Sequence, residues 1–259
     1  MLRVFQADLH VHTCLSPCAE LTMGPRTIVA AARERGLDLI GITDHNSSEN
    51  APAVTGAARG SGLTVLPGLE VTSREEVHVL ALFDELEAAF RLQEAVYAHL
   101  PGQNDGQRFG LQVIVSEEHD VLGFNSRLLA GAAEFTVEEL VELIHELGGL
   151  AIAAHIDREA FGILGQLGFL PAGLEFDALE LSPQMSRQEA ARRLPEWAAG
   201  ALVRFSDAHR PEEIGRAFTP LVLREPTTAE IRKAFRGEGE RQVLWSESAG
   251  ARQRGCDWT

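Results

Sequence analysis

The sequence predicts an α/β protein whose parallel sheet closes into a barrel. Two observations lead to this fold class. Short apolar runs alternate with helical patterns along most of the 259 residues, as in a parallel sheet covered by helices. Most of these runs also end in polar or ionisable residues, which a β/α barrel displays at the carboxyl ends of its strands. With 45% hydrophobic residues, the chain can bury one substantial core.

The barrel strands are predicted from short apolar runs, which occur at residues 3–9, 37–43, 63–66, 77–83, 150–154, 178–181 and 201–205. Two further runs, residues 111–115 and 121–124, are separated by a polar turn and predict a hairpin. This hairpin belongs to residues 85–133, the stretch that departs most from the strand–helix alternation. We therefore predict an insertion or cap there.

Helix ends carry their own signals. Pro25 begins a helix that Gly36 ends, the expected N-terminal proline and C-terminal glycine. Thr136 and Thr227 are each followed three residues later by a glutamate, which is the capping-box pattern of a helix start. Residues 85–100 also have a helical pattern.

The last predicted helix ends near Gly237. We therefore assign residues 1–237 to the barrel, with the inserted segment inside it, and residues 238–259 to a polar C-terminal tail.

Ionisable residues collect at the predicted strand ends, and we take nine of them as candidate metal ligands: His10, His12, Glu20, His45, Glu70, His78, His155, Asp207 and His209. The spacing of His10 with His12, and of Asp207 with His209, places each pair on one face of an extended segment. Imidazole suits Zn, Fe and Mn, and a carboxylate can bridge two cations. One histidine at a strand end predicts little, but the whole set predicts a multinuclear metal site.

Four motifs, in this order, resemble the PHP (polymerase and histidinol phosphatase) family: DLHVHT at 8–13, TDH at 43–45, GLEV at 68–71 and SDAH at 206–209. His78 and His155 follow the third motif, where the family has isolated histidine ligands. The resemblance implies a distorted (β/α)7 TIM-like barrel with two or three divalent transition metals, Zn, Fe or Mn. It implies a first metal at His10, His12, Glu70 and Asp207, a second at Glu70, His78 and His155, and a third at Glu20, His45 and His209.

Glu20 departs from the family pattern, because many relatives have an aspartate soon after the HxHT segment. In this chain the intervening loop contains Cys14 and Cys18, and either could coordinate instead. Their spacing without a second cysteine pair is a poor match to a zinc knuckle, so we expect free thiols lining the loop.

The resemblance implies hydrolysis of phosphoric esters by a metal-activated hydroxide, with no serine or cysteine nucleophile. The motifs GxSxG and GxxxxGK[ST] are indeed absent from the sequence. Arg158 is the candidate phosphate-binding residue because its planar fork can donate two hydrogen bonds, although it could instead pair with Asp157 or Glu159. Water, His209 and Asp44 are candidates for the proton donor to the leaving group, and Asp44 more readily orients a ligand.

Two other functions remain open. An amidohydrolase-type barrel also begins with HxH. Its version bridged by a carboxylated lysine is excluded because the only lysine, Lys233, follows all the motifs, whereas a mononuclear deaminase stays open. A non-catalytic PHP domain would bind metal for stability or regulate a partner. A domain that has lost catalysis should also have lost some of its metal ligands. Retention of all nine candidate ligands therefore argues against a non-catalytic domain.

The charge balance restricts the expected partners. A net charge of −15 repels polyanions, so we expect no long nucleic acid partner. We expect a small phosphorylated substrate, with a nucleotide or short oligonucleotide also compatible, because bound metals reverse the local field.

The cysteine count and the hydropathy predict a compartment. Three cysteines form no disulfide framework, and no apolar run reaches membrane-spanning length. We therefore expect a cytoplasmic protein without a membrane partner.

Overall fold

The computed structural model describes residues 1–193 and 201–245. Within them the strands are β1 (Arg3–Val11), β2 (Leu39–Ile42), β3 (Thr64–Thr72), β4 (His78–Leu82), β5 (Val113–Val115), β6 (Val121–Phe124), β7 (Leu150–Ala153), β8 (Ala178–Leu181), β9 (Leu202–Arg204), β10 (Thr219–Leu223) and β11 (Gln242–Val243). The helices are α1 (Pro25–Glu34), α2 (Ala51–Ala57), α3 (Leu86–Ala98), α4 (Val137–Glu146), α5 (Ile163–Leu167), α6 (Arg187–Arg193) and α7 (Thr228–Arg236).

Nine strands of the described residues form one sheet, in the order β11-β10-β1-β2-β3-β4-β7-β8-β9. The chain just after β9 returns to the first strand, where Val11 and Ala208 form a parallel bridge and the amide of His12 donates to the carbonyl of Ala208 at 3.0 Å. The sheet therefore nearly closes on itself. This confirms the predicted α/β fold, a distorted TIM-like barrel.

The distortion lies in strand direction. β4 runs antiparallel to both neighbours, β3 and β7, because only a short turn at residues 73–77 separates it from β3. Gly68 permits the close approach of these two strands, since a Cβ there would collide with the carbonyl oxygen of Ala81. The strand–helix alternation of the sequence predicts a parallel strand at this position, and this prediction is wrong.

The edge of β1 opposite β2 is shared by two partners. Residues 3–7 pair antiparallel with β10, and the end of the strand meets Ala208. β11 extends β10 outward, so residues 242–243 of the predicted tail belong to the sheet edge. Neither β10 nor β11 was predicted as a strand. Residues 246–259 of that tail lie outside the described residues.

The predicted helix starts follow from local hydrogen bonding. Pro25 occupies the first turn of α1. The Thr136 hydroxyl accepts from the amide of Glu139, and the Glu139 carboxylate accepts from the amide of Thr136, so the capping box of α4 is complete. At α7 the Thr227 hydroxyl accepts from the amide of Glu230, and Gly237 ends the helix in the left-handed conformation.

Residues 85–133 lie outside the nine-stranded sheet. They form α3, a long loop, and the hairpin of β5 and β6, which is a separate two-stranded sheet. The predicted hairpin is therefore confirmed. The amide of Val113 donates to the carbonyl of Cys14, which holds the hairpin beside the loop that follows β1.

Apolar side chains fill the barrel below the strand ends. Phe5, Leu39, Leu80, Ile152 and Phe205 come from five strands or strand ends and are almost fully buried in one cluster. The histidines and carboxylates therefore lie above a packed core. None of the described helices is long and apolar enough to cross a membrane.

Asp177 connects three elements near the start of β7. Its carboxylate accepts hydrogen bonds from the amide of Ala151 at 2.9 Å, from Nε of Arg232 at 2.7 Å, and from Nε2 of His145 at 3.0 Å. Burial alone would raise the pKa of Asp177, but these donors lower it to about 2. The ionised carboxylate therefore links α4, β7 and α7 at neutral pH.

We expect Asp177→Asn to lower the free energy of unfolding at pH 7 by about 1–2 kcal/mol. Because the folded pKa lies below the ordinary value of 3.8, this stabilisation is present above pH 4 and is lost as the pH falls toward 2. Urea unfolding between pH 7 and pH 3 measures it, with Asp105→Asn as an exposed control. A constant difference between Asp177→Asn and wild type over this range would contradict the assignment.

Candidate metal centre

The end of β1 places two histidines side by side. His10 and His12 are both fully buried, and their Nε2 atoms lie 3.2 Å apart. The register between β1 and β2 shifts between Asp8 and Val11, an irregularity that re-aims side chains beside many active sites. The predicted pairing of these two residues on one face is therefore present.

Hydrogen bonds determine which nitrogen of each ring carries the proton. Nδ1 of His10 lies 2.9 Å from the carboxylate of Glu180, which can only accept. The Ser16 hydroxyl donates to Asp44 at 2.6 Å, so its oxygen accepts from Nδ1 of His12 at 2.9 Å. With both rings neutral, as metal ligation requires, both Nε2 atoms present lone pairs toward each other.

Two lone pairs at this separation repel each other unless a proton or a metal ion lies between or beside them. Asp207 Oδ1 lies 3.2 Å from both Nε2 atoms, and the two oxygens of Glu70 each lie 3.4 Å from one of them. Burial lowers the pKa of His12 well below its ordinary value, whereas the carboxylates around His10 outweigh burial and raise its pKa. Two imidazoles and two carboxylates facing one point fit a divalent transition metal.

Glu70 occupies the middle of the site. Besides His10 and His12, it meets Nδ1 of His45 at 3.1 Å, Nδ1 of His78 at 2.7 Å and Nε2 of His155 at 3.1 Å. Burial would raise the pKa of Glu70, but the surrounding imidazoles hold it well below its ordinary value. Its Oε2 atom is buried without a hydrogen-bond donor, which is the environment of an oxygen available to a metal.

Within the described residues, three groups of side chains have their ligand atoms within 4.8 Å of one another: His10, His12 and Glu70; His45, Glu70 and His78; and His12, His45 and His209. These groups overlap the three sets implied by the family resemblance. They can bind metal. Glu70 belongs to two of the groups, so it is positioned to bridge two cations.

Strained backbone helps to aim these side chains. His155 has φ +28° and Asp207 has φ +49°, and both follow barrel strands in the left-handed region that non-glycine residues rarely adopt. Such conformations cluster at functional sites when the surrounding structure enforces them.

Asp44 is not placed for the catalytic proton transfer that was considered for it. It is fully buried, and its oxygens accept from the amide and hydroxyl of Thr13, both at 2.7 Å, and from Ser16. Asp44 accepts hydrogen bonds from three donors and does not line the pocket, so a substrate in the pocket cannot reach it. Through Ser16 it orients His12, which is the role that the sequence analysis favoured. His209 does line the pocket.

The structure does not bring Glu20 into the cluster. Its carboxylate is exposed and pairs with Nε of Arg210 at 3.2 Å, while its amide donates to the carbonyl of His209. The loop therefore brings the backbone of residue 20 to the site but directs the side chain outward. Cys18, two residues earlier, lies in the pocket instead. Burial raises the pKa of Cys18, but the imidazoles of His45 and His209 lower it to about 6.

Arg158 lies at the pocket, where its Nη2 atom pairs with Asp207 Oδ2 at 2.6 Å. It therefore contacts neither of the two acidic neighbours considered as alternatives, Asp157 and Glu159, at ion-pair distance. More than a third of its side chain is exposed, and the residue lines the pocket.

Three residues of the site were not found in the sequence. Glu180 orients His10 and accepts from the amide of His155 at 3.1 Å. Its position within the apolar segment Ala178–Leu181 was the available signal, since a carboxylate inside a buried strand requires a partner. Phe109 and Phe161 line the pocket and are each 38% exposed. Nothing in their local sequence marks them.

Phe161 is placed by its contacts with His78. Its ring stacks on the imidazole with centroids 4.5 Å apart, and its carbonyl accepts from the His78 amide at 2.9 Å. The pocket has a volume of about 320 Å³, with the histidine cluster at its base and the two phenylalanines on its walls.

A family model described as the PHP domain matches residues 8–162, and one described as PHP-associated matches residues 206–238. The chain belongs to the PHP domain family. The matched residues include seven of the nine candidate ligands in the first model and the other two in the second.

Similar proteins are nucleases and phosphoesterases, hydrolases of phosphoric esters, which supports the predicted enzyme class. The 5'-3' exoribonuclease Rnm of Salmonella typhimurium is 27% identical, covering 81% of this chain and 88% of that protein. Endonuclease Q from Pyrococcus furiosus has a TM-score of 0.74 at 23% identity over 93% of this chain, which spans 58% of that structure. A protein from Bifidobacterium adolescentis described as a metal-dependent phosphoesterase has a TM-score of 0.56 at 20% identity, covering 80% of this chain and 88% of that one.

The expectation of a small substrate and no long nucleic acid is contradicted by these similarities. Rnm is named as an exoribonuclease, and endonuclease Q has been solved with a 27-mer DNA duplex. The error lies in the use of net charge, which is a property of the whole surface. The field at a cleft depends on the groups that line it, here Arg158 and the metals that the histidines can hold.

We expect Glu180→Gln to weaken binding of the most tightly held metal by roughly tenfold or more, because the neutral amide makes His10 a less basic ligand. Metal titration followed by competition with a chelator measures this change. Glu175→Gln, at an exposed position on the preceding loop, is the matched control and should bind metal as wild type does. Equal metal affinity in Glu180→Gln and Glu175→Gln would show that Glu180 has no part in the site.

Proposed function

We propose that this protein is a metal-dependent nuclease that hydrolyses phosphoric ester bonds at the end of a single-stranded nucleic acid. The observation that carries this proposal is one pocket lined by three kinds of group. They are the candidate metal ligands, the guanidinium of Arg158, and the aromatic rings of Phe109 and Phe161. The metals would bind the phosphate of one nucleotide, the guanidinium would pair with the negative charge of that phosphate, and the aromatic rings would stack on the base.

The size of the pocket favours one terminal nucleotide. Its volume of about 320 Å³ lies at the lower end of the range for small-molecule sites. Phe109 and Phe161 offer stacking surfaces, which bind bases with little regard to sequence. The similarity to an exoribonuclease agrees with this substrate class.

Divalent metals, when bound, supply a nucleophile at neutral pH and stabilise charge on the phosphoryl group. His10, His12, Glu70 and Asp207 would hold one metal, and Glu70, His78 and His155 a second. Asp44 and Glu180 keep the rings of His12 and His10 in the tautomers that present Nε2. We propose two or three metals, of Zn, Fe or Mn.

The remaining side chains bind and protonate the substrate. Arg158 would bind a non-bridging phosphate oxygen through the donors that do not face Asp207. When the third metal site is empty, His209 lines the pocket, is partly exposed, and can donate a proton to the leaving oxygen. Against the effect of burial, contacts with Cys18 and Asp207 raise the pKa of His209, which favours the protonated donor.

The test is hydrolysis of end-labelled single-stranded RNA and DNA oligonucleotides by metal-loaded protein. We expect mononucleotides to be released from one end, the activity to be lost with chelator and restored by Mn, and duplex of the same sequence to be cut more slowly. Products cut at internal positions would contradict an end-directed site. No cleavage of any oligonucleotide by fully loaded protein would contradict the proposed function.

The Phe109→Ala variant tests the aromatic wall. Loss of one stacked base costs about 1–3 kcal/mol, so KM for an oligonucleotide should rise roughly 5- to 150-fold with little change in metal content. Phe124→Ala is the control, because Phe124 is more exposed than Phe109 and lies outside this pocket. Equal KM values for the two variants would remove base stacking from the proposal.

A further inference from the structure

The third group of candidate ligands lacks an anion of its own. His12, His45 and His209 bring three imidazoles together, with ring centroids of His12 lying 4.7 Å from His45 and 4.2 Å from His209. Neutral imidazoles do not offset the charge of a divalent cation. Glu20, the carboxylate that the family resemblance implies here, is turned toward Arg210 at the surface.

Cys18 lies where an anionic ligand is missing. It lines the pocket together with His45 and His209, and it is an exposed free cysteine. A thiolate is negatively charged and is a preferred donor for zinc. Cys14, by contrast, is buried away from the pocket and has its thiol directed at the carbonyl of Val113.

Two buried atoms of residues that line the same pocket lack a hydrogen-bond partner. Nδ1 of His45 and Oε2 of Glu70 are buried, lie 3.1 Å apart, and form no hydrogen bond. The side chain of Glu70 is 1% exposed and is directed into the same pocket as Cys18. Buried polar atoms without hydrogen bonds call for a further partner such as an ion.

We propose that Cys18 is the anionic ligand of a thiophilic transition metal held with His45 and His209, in place of Glu20. On binding, the thiol releases its proton to solvent and the sulfur donates an electron pair to the metal, so no oxidant or reductant is needed. Such a site prefers zinc over magnesium or calcium. This inference concerns metal binding alone and does not depend on the nucleic acid substrate.

X-ray absorption of the zinc-loaded full chain tests the proposal directly. We expect a sulfur atom at about 2.3 Å from zinc in wild type, which Cys18→Ser should remove. The same substitution should weaken the most loosely held zinc by roughly tenfold or more. Cys256→Ser and Glu20→Gln are the controls and should keep the sulfur signal. Cys256 lies outside the described residues.

Absence of sulfur in wild type, or its persistence in Cys18→Ser, would overturn the proposal. Loss of one zinc in Glu20→Gln with none lost in Cys18→Ser would assign the ligand to Glu20. Alkylation of wild type, read by mass spectrometry, provides a second test that needs no variant. Zinc should protect Cys18 from iodoacetamide, and equal modification of Cys18 with and without zinc would contradict coordination.

Discussion

The carboxylate of Glu70 is almost completely buried and lies within 3.4 Å of five imidazole rings from separate parts of the chain. A buried anion is costly unless cations or donors surround it, and a group of buried imidazoles repels itself if several are protonated. Divalent metals satisfy both requirements, because they neutralise the carboxylate and use the imidazoles in their neutral form. The architecture around Glu70 follows from this one constraint.

The barrel meets the constraint by bringing strand ends to one place. Glu70 belongs to β3, while its partners come from the ends of four other strands. The end of β1 contributes two imidazoles, and the ends of β2, β4 and β7 contribute one each. Closure of the sheet by the bridge between Val11 and Ala208 sets Asp207 and His209 beside His12. Below this layer the strands hold apolar side chains, and Asp177 links helices to the barrel near the start of β7. In each of these strands the apolar residues therefore stabilise the fold, and the residues at the strand end form the candidate metal centre.

Much of the centre could be predicted because its ligands occur as short motifs at strand ends, and the HxH spacing alone places His10 beside His12. What could not be predicted depends on side-chain direction and on contacts distant in sequence. The carboxylate of Glu20 turns to Arg210, whereas Cys18 faces the pocket, and no spacing rule distinguishes the two. Glu180 reaches His10 across 170 residues, which only the fold reveals. The antiparallel direction of β4 depends on a turn whose residues suit several connections.

The claim that Glu70 is the shared anion of the centre is tested most directly by metal content in Glu70→Gln, which keeps the size of the side chain and removes its charge. Wild type and variant would be loaded with zinc or manganese, desalted, and analysed for metal and for folded structure by circular dichroism. The account predicts a folded variant that has lost at least one metal per chain, because two adjacent cations then lack their common anion. A folded Glu70→Gln protein with the metal content of wild type would contradict it.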